Sequence, residues 1–156
     1  MTLGIILLCS LLVIIAFASQ VAGRLDKLHR RVSSSRSMLW GRIHERYQVA
    51  TQLNNPEINA AVSATKKEAD KRIFSPNHLL SESHLTQKLS WCDLNLEIRR
   101  AQQRLQDARR MHNEAVRATR YVRSWRISRW LRLTGRAPAP NFVDFDDSLF
   151  PIQNRD

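Results

Sequence analysis

The chain has 156 residues, with 25 lysines and arginines against 14 acidic residues and a formal net charge of +11. A positive excess of this size favours anionic partners such as lipid headgroups, nucleic acid or acidic protein surfaces. Two cysteines cannot form a disulfide framework, so the class of small disulfide-stabilised domains is excluded.

Residues 2–22 form an apolar run without a charged side chain. About 20 apolar residues in a helix span a hydrocarbon core of roughly 30 Å. The run therefore predicts a transmembrane anchor at residues 1–23. A cleaved signal peptide is the alternative, with Ala16-Phe17-Ala18 as its cleavage site, but a signal peptide needs a basic segment before its apolar run, and residues 1–4 carry no charged side chain.

Basic residues flank the apolar run on its C-terminal side. Arg24, Lys27, Arg30 and Arg31 follow it, against Asp26 alone. Short basic flanks stay in the cytoplasm. We therefore expect a single-pass protein of the cell membrane, with its N-terminus outside and its C-terminal domain in the cytoplasm.

The region after the anchor is predicted to be all-α. Between Gly23 and Gly135 it contains few helix breakers and lacks the alternation of apolar and polar residues that is typical of β-strands. A first helix is predicted to continue from the anchor to Leu53 and to end at Asn54-Asn55-Pro56, where Asn55 caps the next helix. Helical segments follow at 56–74 and 76–90, either collinear or antiparallel. A turn is predicted at residues 90–93, with Ser90 or Asp93 as the next cap.

The last helix carries the clearest period, with apolar or small residues at alternating steps of four and three. Such a heptad pattern predicts long antiparallel packing. Residues 24–134 are therefore expected to form an antiparallel helical bundle, with the helix ending at Gly135 and an extended or disordered acidic tail at 135–156. The helix-packing seam consists of Leu94, Ile98, Ala101, Leu105, Ala108, His112, Ala115, Thr119 and Val122.

Several segments, taken in order, are similar to those of the LemA family. ARRMHNEAVRATRYVRSW at 108–125 resembles its A-R-R-x-Y-N-x-A-V-R motif, and SESHLTQKL at 81–89 resembles its A-E-N-x-L-x-x-A-L segment. WLRLTGRAPAPNFVDFDD resembles the C-terminal ending of actinobacterial members. The chain departs from the family at Glu45-Arg46, where the family has two arginines, and at His112, where it has tyrosine. The resemblance implies a membrane-anchored helical bundle of undefined biochemical role.

The sequence contains no pattern typical of an enzyme. The five histidines lack metal-ligand spacing, the serines at 33–35 lack a neighbouring His/Asp arrangement, and no glycine-rich phosphate loop occurs. We therefore expect no catalytic residue, no metal and no cofactor. His112, on the seam beside Asn113, is interpreted as half of a buried hydrogen-bonded pair.

An arginine row at 117–136 is the candidate contact with lipid or a partner. Three interpretations stay open: a solvated helix end, contact with a membrane or membrane protein, and nucleic acid. Interleaved tryptophans suit an anionic membrane surface, and nucleic acid is the least favoured partner. The candidate residues are Arg117, Arg120, Arg123, Trp125, Arg126, Arg129 and Trp130.

These features predict a membrane-anchored helical scaffold or interaction protein without catalytic activity. The alternatives are a surface module that binds anionic lipid and an accessory subunit of a membrane complex. The expected partners are the bilayer and a membrane protein or a second copy of this chain.

Overall fold

The structure, a computed structural model, describes residues 2–69, 74–92, 95–125 and 138–149. These ranges contain four helices, α1 (Thr2–Thr51), α2 (Pro56–Glu68), α3 (Pro76–Ser90) and α4 (Leu96–Ser124). They contain no strand. The predicted all-α class is confirmed.

The apolar run and the first bundle helix are one helix of 50 residues, as the sequence predicts. Gly23 does not interrupt it. Large apolar side chains from Leu3 to Phe17 are 47–74% exposed. By length and composition α1 could cross a membrane, and none of its apolar window is buried inside the protein.

The connection between α1 and α2 follows the predicted cap. Asn54 adopts a left-handed backbone conformation with φ 50°, which asparagine tolerates better than most residues. The Asn55 side chain then accepts hydrogen bonds from the backbone N–H groups of Glu57 and Ile58, with Pro56 at the first helical position. In α3, the side chain of Ser75 plays the same part, accepting from the N–H of His78.

Two predicted boundaries differ from the structure. Helix α2 ends at Glu68 and not at residue 74, because Ala69 adopts an extended backbone conformation and its N–H donates to the carbonyl of Lys66, which closes the last turn. The turn after Ser90 lies where predicted, but α4 begins at Leu96 and is capped by Asn95, whose side chain accepts from the N–H of Ile98. The end predicted for this helix at Gly135 lies outside the described residues.

The chain divides into two compact units. The first unit comprises Met1–Ser34 and Glu114–Asn141, and the second comprises Ser35–Asn113 and Phe142–Asp156. The second unit holds parts of all four helices.

Helix directions within the second unit can be read from paired contacts. Ser35 lies against His112, and Glu45 against Arg104, so α1 and α4 are antiparallel. Glu57 pairs with Lys88 in α3, so α2 and α3 are antiparallel rather than collinear. This resolves the alternative that the sequence leaves open.

Helices α1 and α3 are parallel, since Trp40 stacks on His78 and Arg46 bonds Thr86 further along both helices. The second unit is therefore a four-helix bundle of alternating helix direction. Its core is apolar and includes Leu39, Ile43, Ile58, Leu85, Leu89, Ile98 and Leu105.

Candidate functional site

The eight described seam residues all lie inside the protein. Ile98, Ala101, Leu105, Ala108, His112, Ala115, Thr119 and Val122 are at most 3% exposed. Leu94 lies outside the described residues. The three alanines of the seam are small enough to let a neighbouring helix approach closely.

His112 is buried and hydrogen-bonded, but its partner is not the one expected. Its Nδ1 lies 3.2 Å from the hydroxyl of Ser35 on α1. Asn113 instead bonds the backbone of Val143. The neighbouring residue on a helix points about 100° away, so two adjacent side chains seldom share one buried face.

A buried network of polar side chains crosses the core of the second unit. Arg46 and Glu82 form an ion pair in which both side chains are 0% exposed. The second terminal nitrogen of Arg46 donates to the Thr86 hydroxyl at 2.9 Å and to the Gln102 oxygen at 3.1 Å. The network therefore connects α1, α3 and α4.

Tyr47 and His78 complete the surroundings of the carboxylate. The Tyr47 hydroxyl donates to one oxygen of Glu82, and Nε2 of His78 lies 3.1 Å from the same oxygen. Nδ1 of His78 and Nε of Arg46 have no partner among the described residues. Glu82 is thus the acceptor that Arg46, Tyr47 and His78 share.

This environment shifts two pKa values. Burial by itself would raise the pKa of Glu82, but Arg46, His78 and Tyr47 outweigh it and hold the pKa below its ordinary value. For Tyr47, burial and the adjacent Glu82 carboxylate both raise the pKa of the hydroxyl far above its ordinary value. At neutral pH the cluster holds an ionised Glu82 and a neutral Tyr47.

The buried network acts mainly by fixing the positions of the helices that contribute its side chains. Its charged groups are closed off from solvent, so a substrate could reach them only if the helices separated. A buried pair of this kind is weak evidence for added stability, but a partner removed from it leaves an uncompensated charge. The network therefore favours one register of α1 against α3 and α4.

Sequence reasoning missed this network. The predicted site residues include neither Arg46 nor Glu82. A signal existed, because Arg46 continues the stripe of Leu39, Ile43 and Ala50, while Glu82 shares a face with Leu85 and Leu89. Opposite charges on two otherwise apolar faces indicate a buried pair.

The first unit contains the predicted basic surface. Val122 near the end of α4 packs with Val21 and Leu25 of α1, and all three are at most 4% exposed. The guanidinium of Arg24 lies 5.4 Å from the Trp125 ring, a cation–π distance. The last turns of α4 thus lie beside the part of α1 where the apolar run ends.

Charge in this region is strongly positive. Residues 24–34 and 114–125 carry seven lysines and arginines against Asp26 and Glu114. Arg117 and Arg120 are exposed and Arg123 is half-buried. Arg120 donates to the carbonyl of Pro140 at 2.8 Å. The other members of the arginine row, Arg126, Arg129 and Trp130, lie outside the described residues.

The described residues contain no group of three or more His, Cys, Asp or Glu side chains that could hold a metal ion. A shallow surface depression lies between Ser37, Trp40, Gly41 and His44 on one face of α1.

No family model matches the chain, and comparisons with curated proteins and with solved structures found no match either.

Proposed function

We propose that this protein is a non-catalytic, membrane-anchored helical interaction module whose basic end binds anionic lipid headgroups. One observation carries the proposal: Val122 packs against Val21 and Leu25, at the C-terminal end of the apolar run of α1. If that run spans the bilayer, the same packing holds Arg117, Arg120 and Arg123 at the level of the headgroups.

The aromatic residues of this end suit an interface. Tyr121 is 64% exposed and meets Trp125 edge-to-face at 5.9 Å between ring centroids. Tryptophan and tyrosine favour the headgroup zone, and arginine can keep its charge there while its stem packs on apolar surface. Each lysine or arginine near an anionic surface contributes about 1 kcal/mol of attraction.

The proposed location is the cell membrane, with the N-terminus outside and the C-terminal domain in the cytoplasm. The basic flank at 24–31 supports this orientation. A cysteine placed at Asp156, in a chain with both native cysteines changed to serine, should react with an impermeant maleimide only after the cells are opened. Labelling of intact cells would overturn the orientation.

We also propose that the chain is a LemA-type protein. The order of its parts and the ARRMHNEAV stretch at 108–116 support this assignment. The assignment adds no biochemical activity, because the resemblance implies only an anchored helical bundle.

The lipid proposal is tested with the full chain in bilayer discs. Hydrogen exchange of residues 114–125 should slow in discs containing anionic lipid relative to discs of zwitterionic lipid. Changing Arg117, Arg120 and Arg123 together to glutamine should remove that slowing. High salt should weaken it as well, because salt screens surface charge.

A matched control removes the same charge elsewhere. Changing Lys67, Arg100 and Arg110 to glutamine also removes three exposed positive charges, from α2 and the earlier part of α4. This variant should keep the lipid-dependent slowing. Equal exchange of residues 114–125 in both lipids for the unmodified chain would contradict the proposal.

A specific observation favours a second candidate, an accessory subunit of a membrane complex. Trp91, Leu96 and Leu80 are 76%, 60% and 69% exposed on the bundle. Aromatic side chains such as that of Trp91 are enriched at protein contacts relative to the rest of the surface. A stoichiometric partner that co-purifies in mild detergent, and is lost with Trp91→Ser, would support this function; a lipid-binding module alone brings no such partner.

A further inference from the structure

The tail strap, residues 138–149, lies against α3 and α4 without helix or strand structure of its own. Its side chains alternate: Val143, Phe145 and Asp147 are buried, while Phe142 is exposed, like the two aspartates between them. A period of two is that of an extended peptide laid on a surface.

Side chains of the bundle form hydrogen bonds with the backbone of the strap. The side-chain amide of Asn113 donates to the Val143 carbonyl at 2.8 Å and accepts from the Val143 N–H at 2.9 Å. A neighbouring β-strand would satisfy an extended residue in the same way. The hydroxyl of Ser83 on α3 accepts the N–H of Asp146 at 2.9 Å.

Two glutamine side chains of α4 bind the same backbone carbonyl of the strap. The amides of Gln102 and Gln106 donate to the carbonyl of Asp147 at 2.7 Å and 2.5 Å. Gln102 is 2% exposed, and its oxygen accepts from Arg46. With the strap removed, its buried amide would lose this hydrogen bond, which is costly inside a protein.

Arg109 binds the acidic side chains of the strap. Its Nε and one terminal nitrogen donate to the two carboxylate oxygens of Asp147 at 2.6 Å and 3.1 Å, a bidentate arrangement. Its other terminal nitrogen lies 3.3 Å from Asp144. The guanidinium also lies 5.7 Å from the Phe145 ring. These contacts select an apolar–Asp–apolar–any–Asp pattern.

We propose that the strap groove, formed by Ser83, Gln102, Gln106, Arg109 and Asn113, is a recognition site for an extended acidic peptide. Its occupant besides the chain's own strap is the strap of a second copy of this chain. Every contact that selects the peptide is made to residues 143–147, so an identical strap from another copy satisfies the groove equally well. Exchange of an identical segment is a low-cost route to association.

Anchoring supports the choice of a second copy. Copies held in one bilayer share one orientation, so their grooves and straps lie at matching heights and at high local concentration. This step depends on the proposed anchoring; recognition of the strap by the groove does not.

Exchange is tested by crosslinking in the full chain, in a background where Cys9 and Cys92 are serine. One tagged copy carries Ser83→Cys and a differently tagged copy carries Asp146→Cys, and a short bismaleimide is added to membranes from cells that make both. A covalent dimer bearing both tags is expected. The control pairs Asp146→Cys with Asp107→Cys, an exposed α4 residue outside the strap contacts, and should give at least tenfold less dimer.

A synthetic peptide of residues 141–149 provides the second measurement. Added in excess before the crosslinker to protein in detergent micelles, it should suppress the dimer, and a peptide with Val143→Ser and Asp147→Asn should need at least tenfold more. If the native peptide suppresses a dimer in micelles but no dimer carrying both tags forms in membranes, strap exchange between anchored copies is refuted. A dimer that neither peptide suppresses would refute recognition, as would failure of a single copy carrying both cysteines to link internally.

Discussion

Arginine side chains have different surroundings in the two units. Arg46 in the second unit is 0% exposed and paired with Glu82, whereas Arg117 and Arg120 in the first unit are exposed. Burial removes hydration, so Arg46 depends on its carboxylate, whereas the exposed guanidinium groups of Arg117 and Arg120 remain in contact with solvent. The same residue type is therefore buried in an ion pair in one region and is a proposed lipid contact in the other.

The largest expected effect comes from removing the partner of the buried arginine. Glu82→Ala leaves Arg46 charged and uncompensated in the core, and we expect a loss of about 3–5 kcal/mol of unfolding free energy. Urea denaturation of the full chain in detergent, followed by circular dichroism, measures it. The matched control is Glu57→Ala, which breaks an exposed pair with Lys88 and should cost at most about 1 kcal/mol. Equal losses would mean that the two pairs do not differ as burial predicts.

Acid should weaken the second unit through the same carboxylate. The pKa of Glu82 is lowered in the folded protein, so the unfolded chain takes up its proton first as the pH falls. The stabilisation is present above the ordinary value of 4.5 and is lost progressively as the pH falls below it. The difference in denaturation midpoint between the native chain and Glu82→Gln should therefore shrink between neutral pH and pH 3. A constant difference would exclude this linkage.

A smaller loss is expected from overfilling the seam beside this network. Ala108 is 2% exposed, and Ala108→Leu should cost about 1–3 kcal/mol because the neighbouring helices must separate or strain. Thermal unfolding of the full chain measures the effect. Asp107→Leu, at the exposed adjacent position, is the control and should change stability by less than about 0.5 kcal/mol. An unchanged melting temperature for Ala108→Leu would mean that this position tolerates bulk.

The smallest expected effect lies at the other end of the comparison. Arg117→Gln removes an exposed arginine of the first unit and should leave the unfolding free energy within about 0.5 kcal/mol of the native value. The same substitution should reduce, by itself, part of the lipid-dependent protection of residues 114–125. A stability loss as large as that of Glu82→Ala would mean that Arg117 serves the fold and not a surface.

Much of the fold could be predicted from local patterns. Asn55-Pro56 marks a helix start whatever surrounds it, because the cap and the proline act within one turn. The seam from Ile98 to Val122 repeats strictly, and each of its described members is buried. The end of α2 at Glu68 could not be placed as well, because the charged residues that follow give no sharp breaker.

The buried network and the strap show where sequence reasoning stops. Arg46 and Glu82 are 36 residues apart, and no local rule tells that the two will meet. The sequence predicts an extended or disordered tail at 135–156. Its described part is extended and bonded to Arg109 and Asn113, contacts that depend on the groove and not on the tail's own propensity.

The sequence by itself determined the apolar helix, the all-α class and the helix start at Asn55-Pro56, because these depend on hydrophobic period, capping and proline, which act over a few residues. Only the tertiary structure decided which charges are buried. Desolvation depends on which helix covers a side chain. The apolar stripe around Arg46 favours burial, but the packing of α3 and α4 against α1 is what removes its guanidinium from solvent.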